Sequence, residues 1–388
     1  MIVRTYLKNV RTGLAAIAAL AALAMTACSA APEEESSSSS SGGRFDISNE
    51  AAREKCSSTA QPSAPPAGTY ATTAQVLDAV KAAQCLKALP EPVATALNNE
   101  DPAGGQNRFD CSTNFDETQL RYNNYGECTL GDQNGTKLMV VYGDSRAHMW
   151  GATLEGVAAQ HGWKLKVFSK GGCPVQDLNF RDDQTKTPFT ACDDWHARTP
   201  AVIKALHPDL VLVTSIPWGT LADSNPDDEF PWYAHILGWL GEHLLGHGKN
   251  GSEPTPRQWQ DGWTRTMGNL AQPGTKLAMI GSIAQWGNAQ PSCLAKHQSN
   301  IQACSDAVDK VLDYGNGETN GHQALDAEKA AAAGAGALYI STVPWVCASR
   351  CEPVIAGMRA FETGFHLSQH YAVYLTGALG EALQPLVS

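Results

Sequence analysis

The chain lacks an excess of basic residues. Of its 388 residues, 28 are Lys or Arg and 39 are Asp or Glu, which gives a formal net charge of −11 at pH 7. A protein this acidic does not carry the basic surface on which nucleic acid or anionic lipid headgroups bind. The composition therefore argues against both of these partners.

The chain also lacks an internal repeat and an apolar run of membrane-spanning length. Its N-terminal apolar run, Leu14–Met25, has about 12 residues, whereas a spanning helix needs ~20. Arg4, Lys8 and Arg11 precede this run, and small residues lead from it to Cys28. The pattern is typical of a bacterial lipoprotein signal peptide at residues 1–27, with Cys28 as the lipidated residue. Ordinary secretory cleavage, which would leave Cys28 a spare thiol, is the alternative.

A polar segment follows the predicted cleavage site. Residues 28–50 contain Glu33–Glu35, six consecutive serines at Ser36–Ser41, and two glycines. Such a segment buries no apolar surface, so we expect a flexible tether at the outer face of the membrane or in the cell envelope.

The cysteine count agrees with an exported protein. Eleven cysteines less Cys28 leave ten, and an even number in an exported chain indicates disulfides. Because neighbours close the shortest loops, we expect Cys173–Cys192, Cys293–Cys304 and Cys347–Cys351, with Cys56–Cys85 and Cys111–Cys128 as further pairs. Zinc is the alternative at Cys347 and Cys351, but no second close pair accompanies them.

The pattern of the chain changes near residue 130. Residues 51–130 contain one convincing helix, at 73–88, and are predicted to form a disulfide-containing N-terminal extension. Residues 131–388 alternate strands with helices, and the strands are expected at 137–142, 163–168, 209–214, 276–281 and 337–341. Alternation of this kind predicts a parallel sheet covered on both faces. We therefore expect a three-layer α/β/α sandwich with a central five-stranded parallel sheet and a site at the carboxyl ends of its strands.

One tripeptide lies where such a site would be. Gly143, Asp144 and Ser145 follow the first apolar strand and precede a helix. A serine at this turn is exposed at the carboxyl edge of the sheet and is close to the free N–H groups of the helix. Gly-Asp-Ser is also an ordinary helix N-cap, so the tripeptide alone is weak evidence for a nucleophile.

Further motifs, taken in order, resemble the SGNH (GDSL-type) hydrolases. Within that family, the chain is most similar to extracytoplasmic SGNH domains associated with acyltransferase family 3 membrane proteins. Together the motifs cover some 230 residues, and they are Gly143–Ser145, Gly171–Pro174, Pro291–Leu294, Trp345–Cys347 with Cys351–Val354, and Gly364–Ser368.

The resemblance implies roles for particular residues. Ser145 matches the nucleophile and His366 the general base. The backbone N–H groups of Ser145 and of Gly172 or Gly171 would form the oxyanion hole, with Gly172 preferred. It also implies no cofactor and no metal.

The chain departs from the family pattern at three places. The Asn expected after the third strand is absent, and Trp218 lies in that segment, as in many acyltransferase-associated members. The Asp expected three residues before His366 is Thr363, so either Thr363 or the adjacent Glu362 would support the base. Arg146 stands where the subfamily usually has His. Asp144, Arg146 and Trp218 are candidate substrate contacts.

The sequence thus predicts a lipid-anchored O-acyl esterase or O-acyltransferase. Its substrates would be acyl esters, acetyl foremost, of cell-envelope glycans or glycolipids, and transfer would require a separate membrane protein to deliver the acyl group. A non-catalytic glycan-binding lipoprotein of the same fold is the alternative.

Overall fold

The structure is a computed structural model of the chain. It describes residues 64–66, 68–90, 93, 112–113, 129–182, 185–217, 219–222, 253–284, 291–312 and 321–388. The predicted signal peptide, Cys28 and the tether lie outside the described residues, as do Trp218, Cys56, Cys111 and Cys128. Among the helices of the described segments, none has both the length and the apolar character needed to cross a bilayer.

A seven-stranded sheet organises the fold. Its five central strands are parallel and in the order β4-β3-β5-β6-β8, where β3 is Lys137–Gly143, β4 Trp163–Lys170, β5 Leu210–Thr214, β6 Lys276–Ile280 and β8 Leu338–Ile340. These are the five strands predicted from the sequence. They are apolar runs because helices cover both faces, and Met139, Val140 and Val141 of β3 are completely buried.

The prediction of five strands was incomplete at one edge. Strand β1 (Ser112–Thr113) pairs with β4 in parallel, and strand β2 (Thr129–Gly131) pairs with β4 antiparallel. These strands are two and three residues long, which is too short for an alternating pattern of apolar and polar residues. They therefore have no recognisable signal in the sequence.

Helices form a layer on each face of the sheet. One layer contains α2 (Ser145–Gln160), α8 (Gln369–Tyr374) and α9 (Thr376–Val387), and the other contains α3 (Thr190–Ala205), α4 (Pro256–Leu270) and α7 (Gly321–Gly334). At the C-terminus, α8 and α9 meet at Leu375, which ends α8 and precedes α9. The three-layer α/β/α prediction is confirmed.

Smaller elements lie outside the central sheet. They are helices α1 (Thr73–Ala83), α5 (Pro291–Lys296) and α6 (Val308–Leu312), the 3₁₀ turns Ile301–Cys304 and Val343–Trp345, and the short strands β7 (Asp306–Ala307), β9 (Arg350–Cys351), β10 (Val354–Ile355) and β11 (Met358–Arg359). Strands β7 and β9 pair with each other, as do β10 and β11.

Helix α1 packs on the α/β core. Thr72 caps it through a capping box with Gln75, and Val76 and Val80 are buried in the same cluster as the sheet. The backbone N–H of Ala71 donates to Tyr374 O at 2.9 Å, and that of Thr73 donates to Glu381 Oε2 at 2.9 Å. The described part of the predicted extension therefore shares its hydrophobic core with the sheet.

Three disulfides join described cysteines: Cys173–Cys192, Cys293–Cys304 and Cys347–Cys351. Each is one of the pairs expected from the spacing, and the last one leaves no free thiolate for zinc at Cys347 or Cys351. Cys85 is also disulfide-bonded. Disulfides of this number are typical of an extracytoplasmic compartment.

Candidate active site

The candidate site lies where three neighbouring strands end. Gly143 at the end of β3 is in register with Ser169 of β4 and with Thr214 of β5. Because the strands are parallel, the segments that follow them leave the same edge of the sheet. Asp144, Gly171 and Ser215 begin these three segments, so the sheet itself brings them together and places Ser145 beside them.

Gly143 and Asp144 shape the turn from β3 to α2. A Cβ on Gly143 would meet the Thr214 carbonyl oxygen at 2.2 Å and Ala147 Cβ at 2.8 Å, so only glycine fits between β5 and the helix. The Asp144 side chain caps α2 by accepting a hydrogen bond from Arg146 N at 2.8 Å. The tripeptide is therefore a helix N-cap, with Asp144 as the capping residue and Ser145 as the first residue of the helix.

His366 reaches Ser145 from the other end of the domain. Its Nε2 lies 2.8 Å from Ser145 Oγ, although 221 positions separate the two residues in sequence. A bridge between Phe361 and Leu367 closes the turn that carries His366, and Leu367 N lies 3.1 Å from Met149 Sδ in α2. The geometry is that of a serine hydroxyl beside an imidazole base.

Thr363 is the residue beside the second ring nitrogen of His366. Its Oγ1 lies 3.4 Å from His366 Nδ1 and accepts a hydrogen bond from the His366 backbone N–H at 3.1 Å. Glu362 is exposed, and its backbone N–H donates to the His366 carbonyl oxygen at 2.9 Å. Of the two sequence candidates, the structure thus brings Thr363 and not the Glu362 carboxylate to the imidazole. Nowhere in the described chain does a carboxylate hydrogen-bond to His366.

The surroundings of His366 keep it neutral. Burial lowers its pKa to about 3, and electrostatic interactions with Arg146 and His148 lower it in the same direction. His366 is therefore an unprotonated acceptor at neutral pH. The same environment penalises the imidazolium that would form during catalysis, and no carboxylate among the described residues offsets this penalty by a hydrogen bond to the ring.

Asp144 and Arg146, two of the predicted substrate contacts, are both buried. Their exposed fractions are 0% and 1%, so the expectation that they contact substrate is not supported by their placement. Asp144 Oδ2 instead accepts hydrogen bonds from Ser215 Oγ at 2.7 Å and from Ile216 N at 2.6 Å. Complete burial raises the pKa of the Asp144 carboxyl, and these hydrogen bonds oppose that rise.

A second buried carboxylate lies near the site, and no sequence pattern indicates it. Glu328 of α7 accepts hydrogen bonds from Ser282 N at 3.0 Å, from Ser282 Oγ, and from Tyr339 OH at 3.2 Å. Burial raises its pKa to about 7, while its hydrogen bonds and the charge of Arg146 act in the opposite direction. An isolated Glu in an alanine-rich helix is typical of a solvated surface. Only the tertiary structure therefore shows that the Glu328 carboxylate is buried and hydrogen-bonded.

The loop after β4 contains the two glycines of the predicted oxyanion hole. Gly172 has φ +68°, a conformation that favours glycine, and the side of Gly171 on which a Cβ would lie is open. The Cys173–Cys192 disulfide ties this loop to α3. His196 Nε2 lies 3.7 Å from each of these sulfurs and 2.8 Å from the Pro174 carbonyl oxygen. The two sulfurs are bonded to each other, so this cluster is not a metal site in the oxidised protein.

The Cys173–Cys192 disulfide should matter for activity as well as stability. Replacing both cysteines by serine should lower the free energy of unfolding by about 3 kcal/mol, because the cross-link no longer restricts the unfolded chain. It should also lower ester hydrolysis at equal folded fraction, because the loop of Gly171 and Gly172 loses its anchor. Urea unfolding and initial rates measure the two effects.

The Cys293–Cys304 disulfide provides the matched control. It closes a loop of similar length, with a sequence separation of 11 against 19, and packs with Leu86, Leu89 and Val354 in a separate cluster. Its double serine variant should be destabilised to a similar degree with an unchanged rate per folded molecule. Equal rates for the two folded double variants would show that the Cys173–Cys192 disulfide has only a structural role.

Several solved structures are similar to the chain at low identity. One is the periplasmic domain of a Salmonella ser. Paratyphi A lipopolysaccharide acetyltransferase, with 16% identity over 75% of this chain and 97% of that one and a TM-score of 0.48. A second is TesA, with 16% identity over 64% and 99% of the chains and a TM-score of 0.33. A third is LAE5, an alpha/beta hydrolase from the metagenome of Lake Arreo, with 12% identity over 65% and 95% and a TM-score of 0.29. A search of curated proteins gave no significant match.

A family match defines the class of the protein, which is that of the SGNH domains. Residues 110–381 match the model of the SGNH domain that is fused to AT3 domains. The chain therefore belongs to this SGNH family, as its motifs predicted. The likenesses to solved structures are remote, and the assignment rests on the family match.

Proposed function

We propose that the chain is an O-acyl esterase or O-acyltransferase in which Ser145 is the nucleophile and His366 the general base. The observation that carries this proposal is the distance of 2.8 Å between Ser145 Oγ and His366 Nε2 at the carboxyl edge of the sheet. Ser145 is only partly buried, so an ester can approach its hydroxyl. A neutral imidazole at this distance can accept the serine proton as the serine oxygen attacks.

The proposed reaction has two halves. Ser145 Oγ attacks the acyl carbon while His366 Nε2 takes its proton, and the resulting oxyanion is held by the N–H groups of Ser145 and Gly172. Collapse of this intermediate expels the sugar oxygen, which receives the proton from His366, and leaves an acyl-serine. Water or a second sugar hydroxyl then resolves the acyl-serine by the reverse sequence, with His366 as base once more. Hydrolysis and transfer differ only in this last acceptor.

The compartment and the partners are part of the same proposal. Residues 1–27 would be a lipoprotein signal peptide, Cys28 the lipidated residue, 28–50 a tether, 51–130 an extension and 131–388 the SGNH-like domain. The disulfides support export, and the match to a family fused to AT3 domains supports work on cell-envelope glycans or glycolipids. In transfer, a separate acyltransferase family 3 membrane protein would supply the acyl group, acetyl foremost.

A glycan-binding protein without turnover is the second candidate. The observation in its favour is the hydroxyl of Thr363 at the place where the family has a carboxylate. This candidate predicts that Ser145 forms no covalent intermediate, whereas the enzyme must form one.

Trapping the acyl-enzyme tests the proposal. The full chain is mixed with an aryl acetate, quenched in acid within the first turnover, and digested for mass mapping. We expect one acetyl group, on the peptide that contains Ser145. Adding an oligosaccharide acceptor before the quench then separates the two activities, because an acetylated sugar indicates transfer and free acetate alone indicates hydrolysis. No acetyl group on Ser145 under any of these conditions would favour the binding protein.

A further inference from the structure

A buried serine links the nucleophile turn to the loop of the predicted oxyanion hole. Ser215 follows β5 directly and is 1% exposed. Its Oγ lies 2.7 Å from Asp144 Oδ2 and accepts a hydrogen bond from Val175 N at 3.1 Å. Asp144 caps the helix that begins with Ser145, and Val175 closes the loop that begins with Gly171. One hydroxyl therefore contacts both segments.

The hydrogen atom of this hydroxyl has a preferred acceptor. Ser215 Oγ is 2.7 Å from the Asp144 carboxylate and 3.3 Å from Gln176 Oε1, and the carboxylate is the stronger acceptor. With the proton directed to Asp144, a lone pair of Ser215 Oγ remains for Val175 N–H. Neither alanine nor valine can make both bonds, since neither has a polar side-chain atom.

The neighbouring contacts support the same arrangement. Ile216 N donates to Asp144 Oδ2 at 2.6 Å, and Gln176 Nε2 donates to the Ile216 carbonyl oxygen at 3.2 Å. Asp144, Ser215 and Gln176 are all buried, so water cannot readily replace a lost partner. The backbone after β5 is thereby fixed both to the nucleophile turn and to the loop after β4.

We propose that Ser215 is a positioning residue that sets the Gly171–Gly172 loop against Ser145. The inference rests on the proposed function, because it concerns the hole that would hold the oxyanion. In this sequence no amide side chain directly follows β5, and Ser215 lies at the start of that segment. Ser215 does not touch the reacting atoms in this arrangement. It determines where the Gly172 N–H lies relative to the Ser145 hydroxyl.

The arrangement predicts a particular kinetic effect. In Ser215→Ala, Val175 N–H loses its acceptor and the loop is free to shift, and a misplacement of about 1 Å at an active site can cost about 10²-fold. Because the oxyanion exists only in the transition state and the intermediate, the loss should fall on kcat and leave KM nearly unchanged. Phosphonylation of Ser145 by a fluorophosphonate should slow by a similar factor, because that adduct also directs an oxygen at the hole.

The experiment measures kcat, KM and the fluorophosphonate labelling rate for the full chain, Ser215→Ala, Ser215→Cys and Thr342→Ala. Thr342 is a matched control because its buried hydroxyl, also just beyond a strand end, donates to the Gly281 carbonyl oxygen at 3.0 Å and not to the 171–176 loop. We expect kcat to fall about 10²-fold in Ser215→Ala, less in Ser215→Cys, and little in Thr342→Ala. If Ser215→Ala does not fold, Ser215→Cys, which nearly keeps the side-chain volume, decides the question.

The outcomes separate the two proposals. A wild-type protein that neither hydrolyses the ester nor reacts with the probe overturns the proposed function, and the role of Ser215 with it. An active wild type for which Ser215→Ala and Thr342→Ala have the same kcat overturns the positioning role alone. A rise in KM with unchanged kcat would likewise contradict it, since that result places Ser215 in substrate binding.

Discussion

Replacing Ser145 by alanine should lower ester hydrolysis by on the order of 10⁴-fold or more, with little change in stability. The loss is large because nucleophile and base act as a unit, and without the Ser145 hydroxyl His366 has no nucleophile from which to take a proton. Ser145 is partly buried and its Oγ contacts His366 Nε2, so the alanine leaves a small change in packing. Initial rates on an aryl acetate, normalised to folded protein from urea unfolding, measure the effect.

Ser349→Ala is the control for this variant. Ser349 is an exposed serine whose Oγ donates to Gln84 Oε1 at 2.7 Å, away from the strand ends that form the site. Its alanine variant should keep the wild-type rate. His366→Gln should lose about as much as Ser145→Ala, and the double variant should lose no more than either single one. A wild-type rate in Ser145→Ala would place the hydrolysis at another residue.

Replacing Thr363 by aspartate should raise the rate above that of the wild type. A carboxylate beside Nδ1 fixes the tautomer in which Nε2 is the acceptor and stabilises the imidazolium, and loss of its charge in a complete triad costs ~10⁴-fold. Thr363 Oγ1 already lies 3.4 Å from Nδ1, so the substitution brings the charge to the correct side of the ring. We expect kcat to increase about tenfold or more. The upper limit is the ~10⁴-fold that a complete triad loses when the charge of its carboxylate is removed.

The same variant should change the pH dependence. Burial and the charge of Arg146 lower the pKa of His366 to about 3. In the wild type, His366 should therefore stay unprotonated at pH values well below 6.5, the ordinary pKa of histidine. The carboxylate that Thr363→Asp introduces favours the protonated imidazole and raises this pKa. The acid limb of the kcat/KM profile should therefore lie at higher pH in Thr363→Asp than in the wild type, although the variant is faster above that limb.

Glu362→Gln separates the two sequence candidates for this role. Glu362 is exposed, and its backbone N–H, which the glutamine keeps, donates to the His366 carbonyl oxygen. The kcat and pH profile of the variant should match those of the wild type. A strong loss of kcat in Glu362→Gln, with no gain in Thr363→Asp, would mean that the Glu362 carboxylate turns to the imidazole in the working enzyme.

The central strands were predictable from the sequence because they are buried on both faces. Runs such as Leu138–Tyr142 are apolar throughout, and their observed bounds differ from the predicted ones by one or two residues. Strands β1 and β2 depend on the β4 edge and are too short to carry a pattern. The two helices at the C-terminus share one apolar pattern, and only the backbone shows the break at Leu375.

Site residues that belong to a sequence motif could be predicted. Those whose place in the site depends on tertiary contacts could not. Ser145 and His366 stand in motifs, and the structure places their side chains together across 221 positions. The choice between Thr363 and Glu362 depends on the turn closed by Phe361 and Leu367, which turns the Thr363 hydroxyl toward the ring. Two further residues, Ser215 and Glu328, belong to no motif, and their hydrogen bonds are to residues distant in sequence that only the fold brings near.

Labelling with a fluorophosphonate tests the pairing of Ser145 with His366 most directly, because the reagent reacts with an activated serine whatever the natural substrate is. The full chain, folded and oxidised, is treated with the probe, digested and mapped by mass spectrometry. We expect a single labelled residue, Ser145, with labelling lost in His366→Gln and in urea-unfolded protein. Ser145 unlabelled in the folded wild type, or labelled equally in His366→Gln, would contradict the claim that these two residues form a catalytic pair.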